Sequence, residues 1–403
     1  MDTPHTHMPH HGKPSVTGTH LAVLLIAVVV AFIAGTRSDL IISTVMGKKV
    51  ATEQLDLTTV QSLYKELAAN YDGKLDPQKL IDGAKHGMVD SVGDPYTVYF
   101  TADETKQFLS DLDGTFEGIG AELGKKDGSL AVISIIDNSP AQKAGVMGGD
   151  FIAKVNDEDT TGWSVEQAVK KIRGQKDTSV KLTLIRKSQS TPLEISIKRD
   201  TITDPSVKTE ITSDNIGIIR ITRFGQTDTA TLARAAAAEF KTKGVEGIVL
   251  DLRGNGGGYL QSAQDVASLW MKDKVVVSER SGGTVTDTLR THGDAPLSGV
   301  PTIVLVNGGS ASASEILAGA LNDNGAAKLV GEKTFGKGVV QDVLTLGDGG
   351  SLKVTIASWY TPNGKNISKE GITPETIVTM SDEDFTAGRD PQKDRALEML
   401  RAQ

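Results

Sequence analysis

From about residue 203 onward the chain alternates short, almost wholly apolar runs with helix-patterned segments, which points to an α/β domain. Residues 216–221 and 248–252 are two such runs, and an Ala-rich helix pattern fills 228–243 between them. A third run at 302–306 leads straight into the helical ASEILAGALND. Segments this apolar read as buried strands, so a sizeable core is expected here.

The residues before this domain have a different grain. Over 114–200, β-rich runs at 119–123, 130–136, 152–155, 180–186 and 193–198 surround two short helices near 140–144 and 165–173. Over 54–113 the pattern is helical, with Leu57, Val60, Leu63, Tyr64 and Leu67 at helical spacing. Asp76-Pro77 opens a second helix, with proline in the first turn. Gly93-Asp94-Pro95-Tyr96 breaks it, and a third runs from Thr101 to Leu112. The expected organisation is a helical region at 54–113, a β-rich domain at 114–200, an α/β core at 203–380 and a helical end at 381–403. No solenoid-type repeat is present.

Residues 21–34, LAVLLIAVVVAFIA, carry no charge. Fourteen apolar residues fall short of the ~17–25 that a membrane span needs. With 16–20 and 35–36 as interfacial flanks, a transmembrane anchor at 21–36 is the expectation. A cleaved signal segment is the rival, but Phe32 would occupy the −3 position, where a small residue belongs. A buried core helix is the third reading. The first twenty residues hold five of the seven histidines and read as a cytoplasmic or disordered tail, with metal binding as the lesser reading.

A formal charge of −8 and the absence of any basic tract argue against nucleic-acid binding. With no cysteine, a disulfide framework, a thiolate metal site, a cysteine nucleophile and a lipoprotein anchor are all excluded. No metal or cofactor site is expected. Only His86 and His292 remain beyond the tail, so histidine chemistry has little to work with.

The stretch NGGSASASEILAGALNDNGAAKLVGEKTFGKGVVQ, residues 307–341, concentrates the chemistry. A helix begins near Ser312, which puts that hydroxyl at the positive end of a helix among free backbone N–H groups. One turn can thus supply a nucleophile and part of an oxyanion hole. The same residues also read as an ordinary N-cap, because Ser312 and Glu315 fit the S-x-x-E capping box. Lys337, framed by Gly336 and Gly338, is the better candidate base, although Thr291-His292-Gly293-Asp294 could donate to a triad. An unperturbed lysine is almost wholly charged at neutral pH. Lowering its pKa by ~3 units costs the ammonium ~4 kcal/mol, which burial can supply. An exposed loop lysine is the plainer alternative. The glycine loop DLRGNGGG, residues 251–258, presents N–H groups to an anion but lacks the phosphate-loop and dinucleotide patterns, so an oxyanion donor fits it better.

Taken in order, D-L-R-G-N-G-G-G, G-S-A-S-A-S-E and F-G-K-G-x-x-Q resemble the carboxy-terminal processing proteases, serine peptidases with a PDZ domain and a Ser–Lys dyad. The likeness runs from about residue 54 to the end. It includes Gly93-Asp94-Pro95-Tyr96, Phe116-Glu117-Gly118-Ile119-Gly120, Tyr360-Thr361-Pro362-Asn363-Gly364 and Asp390-Pro391-Gln392. It implies a crotonase/ClpP-like core carrying an inserted PDZ domain. It further implies Ser312 as nucleophile, Lys337 as base, Gln341 as the assisting residue, and oxyanion donors at Ala313 and Gly257. Residues 114–200 resemble the PDZ domain. There Gly118, Ile119, Gly120 and Ala121 match the loop that holds a peptide's terminal carboxylate; a small structural β-domain is the alternative. Arg173, ending the helix of that domain, is the candidate for relaying ligand binding to the 337–341 strand; a simple helix C-cap is its other reading.

The resulting expectation is a membrane-attached endopeptidase working outside the cytoplasm on proteins with free C-terminal tails. The 54–113 helices would be a dimerisation element, making a homodimer or larger homo-oligomer. Two other functions compete: a catalytically idle PDZ scaffold on the same fold, and an acyl-CoA enzyme of the same superfamily.

Overall fold

The computed structural model describes residues 55–402, except 127, 137, 188 and 369. The tail at 1–20 and the expected anchor at 21–36 lie outside the described residues. Among the described residues no helix is long and apolar enough to cross a membrane. The chain divides into two units, 1–77 and 78–403. In the first, helix α1 (Thr58–Asn70) buries none of its residues. Among the described residues its Val60, Leu63, Tyr64 and Leu67 stripe is exposed.

The second unit begins along helix α2 (Pro77–Asp90). Strand β1 (Val98–Phe100) and helix α3 (Ala102–Leu112) follow, the helix opened by a Thr101–Glu104 capping box. The β-rich segment comprises β2 (Thr115–Gly118), β3 (Ala121–Lys126), β4 (Ser129–Ile135), α4 (Pro140–Lys143), β5 (Phe151–Val155), β6 (Glu158–Asp159), α5 (Val165–Ile172), β7 (Ser179–Ile185), β8 (Leu193–Lys198) and β9 (Asp200–Thr203). Its antiparallel sheet runs β3-β4-β5-β7-β8, with β6 on β5. Strands β2 and β9 pair to close the segment at its neck, Thr115 opposite Thr203. Val155, Ala168, Val180 and Leu182 are fully buried in a core of its own.

The α/β layer comprises β10 (Val207–Ile211), β11 (Ile216–Ile221), α6 (Thr229–Lys243), β12 (Gly247–Asp251) and α7 (Leu260–Ala267). The chain continues through β13 (Val275–Ser281), β14 (Thr284–Arg290), β15 (Thr302–Val306), α8 (Ala313–Asp323), β16 (Lys328–Gly331), β17 (Val339–Thr345), β18 (Ser351–Tyr360), β19 (Thr376–Ile377), α9 (Asp382–Ala387) and α10 (Pro391–Arg401). A six-stranded sheet runs β10-β11-β12-β15-β16-β19, with every pairing parallel except β10 with β11.

Period-two alternation explains why its strands are apolar throughout. Ile219, Leu250, Val304 and Leu329 face the core shared with α6, α7 and α8. Ile218, Val249, Ile303, Leu305 and Val330 face the opposite side, where Ala396, Leu397 and Leu400 of α10 cover them. A second sheet, β1-β18-β13-β14 with β17 on β18, is wholly antiparallel and carries the residues after Lys337.

Candidate active site

Strand β15 ends at Val306, and a tight turn enters α8. Two of the three serines at that junction, Ser310 in the turn and Ser314 in the first turn of α8, face inward. Ser310 Oγ donates to the Leu252 carbonyl and Ser314 Oγ to the Asn255 carbonyl, and both residues are fully buried. Ser312 between them is half-buried and lines a cavity of about 490 Å³. It is the N-cap of α8, as the capping reading required, but it sits at φ 54° and ψ −116°. A residue with a Cβ held there stores ~1–3 kcal/mol of backbone strain. Its N–H donates to Glu315 Oε2 at 2.9 Å.

The glycine loop packs directly against this turn. Asn255, fully buried, accepts the Ala311 N–H on its carbonyl and donates its side-chain amide to the Ile221 carbonyl. A Cβ on Gly257 would lie 2.8 Å from Ser312 Cβ, so only glycine allows the approach. The N–H of Gly257 is already donated to Asn255 Oδ1, at 2.9 Å. In the glycine loop and at the start of α8, the N–H groups of Gly256, Gly258 and Ala313 have no acceptor among the described residues. Ala313 is therefore free to serve as the sequence implied, whereas in the glycine loop the open donors flank Gly257. Arg253 locks the loop from behind, its guanidinium gripping Asp251 and Asp390, the N-cap of α10.

Lys337 lines the same cavity from the loop before β17. Burial holds its pKa below the ordinary lysine value; Lys353 pushes the same way, while Glu315 and Asp94 oppose. Its ammonium nitrogen lies 5.5 Å from the centre of the Tyr96 ring. The exposed-loop alternative is thus set aside. Among the described residues Lys337 Nζ makes no hydrogen bond to Ser312 or Gln341. The Gln341 amide instead donates to the Tyr96 carbonyl. Strand β17 is irregular between Val340 and Gln341, and the side chain turns to Gly93-Asp94-Pro95-Tyr96 instead of back to the lysine.

Sequence reasoning missed what ties these parts together. Glu315 is fully buried and accepts four hydrogen bonds, from the Ser312, Gly336 and Lys337 N–H groups and the Thr334 hydroxyl. One carboxylate thus fixes the turns of both candidate catalytic residues. Its only sequence signal was the capping box. The role of Tyr96 beside both Lys337 and Gln341 left no local signal beyond a helix break.

Neither histidine lines this cavity. His86 Nε2 lies 3.5 Å from Glu104, and His292 Nε2 lies 3.2 Å from Asp265 on a separate surface. In the β-rich domain Gly118, Ile119 and Gly120 are buried, and the N–H groups of Ile119 and Gly120 have no acceptor among the described residues. Arg173 caps α5 and borders that loop. Its guanidinium lies 4.9 Å from the Phe116 ring and 3.4 Å from Asp111, not on the 337–341 strand. Asp111 itself lines the cavity that holds Ser312.

Three profiles match this chain: Peptidase family S41 over residues 215–378, a PDZ domain over 110–185, and the activating protease CtpB N-terminal domain over 35–105. It is 38% identical to the carboxy-terminal processing protease CtpA of Bacillus subtilis, across 89% of this chain and 77% of that protein. It is 39% identical to CtpB of the same organism, across 84% and 72%. Among solved structures, the photosystem II D1 C-terminal processing protease superposes with a TM-score of 0.50 at 28% identity, covering 79% of this chain and 86% of that one. The chain belongs to the S41 family of carboxy-terminal processing proteases, and is a serine peptidase with a PDZ domain and an N-terminal region.

Proposed function

We propose that the chain is a membrane-attached endopeptidase that recognises protein C-terminal tails through its PDZ domain and cuts peptide bonds with a Ser312–Lys337 dyad. The observation that carries this reading is the shared cavity: a strained, half-buried serine, a lysine depressed by burial, and unpaired N–H groups around them. Ser312 Oγ attacks the scissile carbonyl while neutral Lys337 takes its proton and later gives one to the leaving amine. The Ala313 N–H and the glycine loop, at Gly257 or its neighbour Gly258, stabilise the oxyanion. Gln341 steadies the lysine through Tyr96. The parallel sheet with its crossing helices is assigned to the crotonase/ClpP-like class.

Tail recognition rests on the carboxylate loop, Gly118, Ile119, Gly120 and Ala121, with Arg173 as the relay through Asp111 toward the cavity. Substrates ending in a free carboxylate should be cut faster than the same substrates amidated, and Arg173→Ala should erase most of that difference with little change in melting temperature. Equal cleavage of free and amidated tails by the wild-type protein would leave the PDZ domain as a tether only.

Residues 21–36 are assigned as the anchor, with the catalytic body outside the cytoplasm. Added protease should digest the body on intact cells, and a protected body would overturn that orientation. The apolar spacing of Val60, Leu63, Tyr64 and Leu67 on α1 supports a homodimer or larger homo-oligomer; a monomeric mass in solution would sink it.

A further inference from the structure

The catalytic cavity contains a second lysine that the dyad does not use. Lys353 lies on β18, opposite Val98 of β1 and Val343 of β17. Its ammonium nitrogen lies 5.5 Å from the centre of the Phe100 ring and 5.3 Å from that of Phe108. Those rings stack on each other with centroids 4.9 Å apart. Among the described residues Lys353 has no carboxylate partner, although it lines the cavity with Ser312 and Lys337. Burial holds the Lys353 pKa below the ordinary lysine value, while the two ring faces favour its charged form.

Lys337 is surrounded by charges of both signs. Glu315 of α8 and Asp94 of the turn before β1 favour its charged form, and so does the Tyr96 ring. The remaining ionisable groups on the cavity wall are Arg223, paired with Asp228, and Asp111 and Tyr259. Lys353 is the charge that opposes the two carboxylates.

We propose that Lys353 is a positioning residue that keeps Lys337 a base, by holding one positive charge in a cavity that tolerates a second poorly. The two aromatic rings hold the ammonium on the wall of the cavity it shares with Lys337, without a carboxylate partner among the described residues. Lys353 touches no reacting atom; it acts through Lys337. The proposal rests on Lys337 being the general base.

The test is the pH dependence of labelled-casein cleavage by the full chain from about pH 6 to 10, with kcat and KM separated. In Lys353→Met the acid limb of kcat/KM should move to higher pH by about half a unit or more. At a pH on the limb that is a roughly threefold loss, while the alkaline plateau stays near wild type. Lys353→Arg should keep the wild-type limb. An unmoved limb in Lys353→Met, or a uniform loss at every pH, would overturn the proposal. If the Met variant does not fold, Lys353→Gln carries the same comparison. A second readout needs no catalysis: in a Ser312→Ala background, reductive methylation of Lys337 should slow when Lys353 becomes Met, because less of the amine is neutral. Casein cleavage that survives in Lys337→Ala would refute the dyad itself, and the methylation rates would still decide whether Lys353 controls the protonation of Lys337.

Discussion

Replacing Lys337 with Ala, or Ser312 with Ala, is expected to lower kcat/KM by about 10⁴-fold or more, with the far-ultraviolet spectrum unchanged. Among the described residues Lys337 Nζ makes no hydrogen bond that supports the fold, and losing the Ser312 cap of α8 costs only about 1 kcal/mol, so the loss should be chemical. Each single change should cost about as much as the pair, because nucleophile and base act as a unit. His292→Ala should leave turnover intact, since His292 faces Asp265 and not the cavity. A Lys337→Ala protein with wild-type turnover would refute the dyad, and a large loss in His292→Ala would revive a histidine base. The strain at Ser312 adds a stability signature. Ser312→Gly should be as inactive as Ser312→Ala but more stable than it by about 1 kcal/mol, because glycine adopts a φ of 54° without a Cβ penalty. Denaturant midpoints of the two variants read this directly.

The sequence betrayed the parts of this molecule whose physics is local. Strands β8, β11 and β15 occur where unbroken apolar or alternating runs required them, and α3, α5 and α8 begin at polar caps readable by eye. The antiparallel sheet carrying Lys353 was not legible. Strand β14, TVTDTLR, is mostly exposed, and β17, VVQDVLT, is half-buried only over its first three residues and carries a polar centre. Such strands are held by partners distant in sequence and not by their own hydrophobicity. The same distinction applies at the site. Ser312 and Lys337 stand in distinctive motifs, whereas the contact of Gln341 with Tyr96 spans 245 residues and no spacing rule reaches that far.

Glu315 should also prove sensitive, by a smaller factor than the dyad and for a different reason. Its Oε1 accepts from Thr334 and the Gly336 N–H, and its Oε2 from the N–H groups of Ser312 and Lys337. In Glu315→Gln one of those oxygens becomes an NH₂. Turned toward Thr334 it can donate to that hydroxyl, which leaves the buried Gly336 N–H without an acceptor, at about 1–3 kcal/mol. The expected loss of stability is therefore about 1–3 kcal/mol. Both catalytic turns relax with it, and a misplacement of ~1 Å at the reacting atoms is enough to lower kcat/KM by about 10²-fold. Glu315→Asp retracts the carboxylate by one methylene and should fail similarly, since the shorter arm cannot span both turns. Glu239→Gln is the control: it removes an exposed i,i+4 partner of Lys243 on α6 and should change stability by less than about 0.5 kcal/mol. A Glu315→Gln protein as stable and active as wild type would mean that the two turns hold their geometry independently, and that the coupling of nucleophile to base lies elsewhere in the fold.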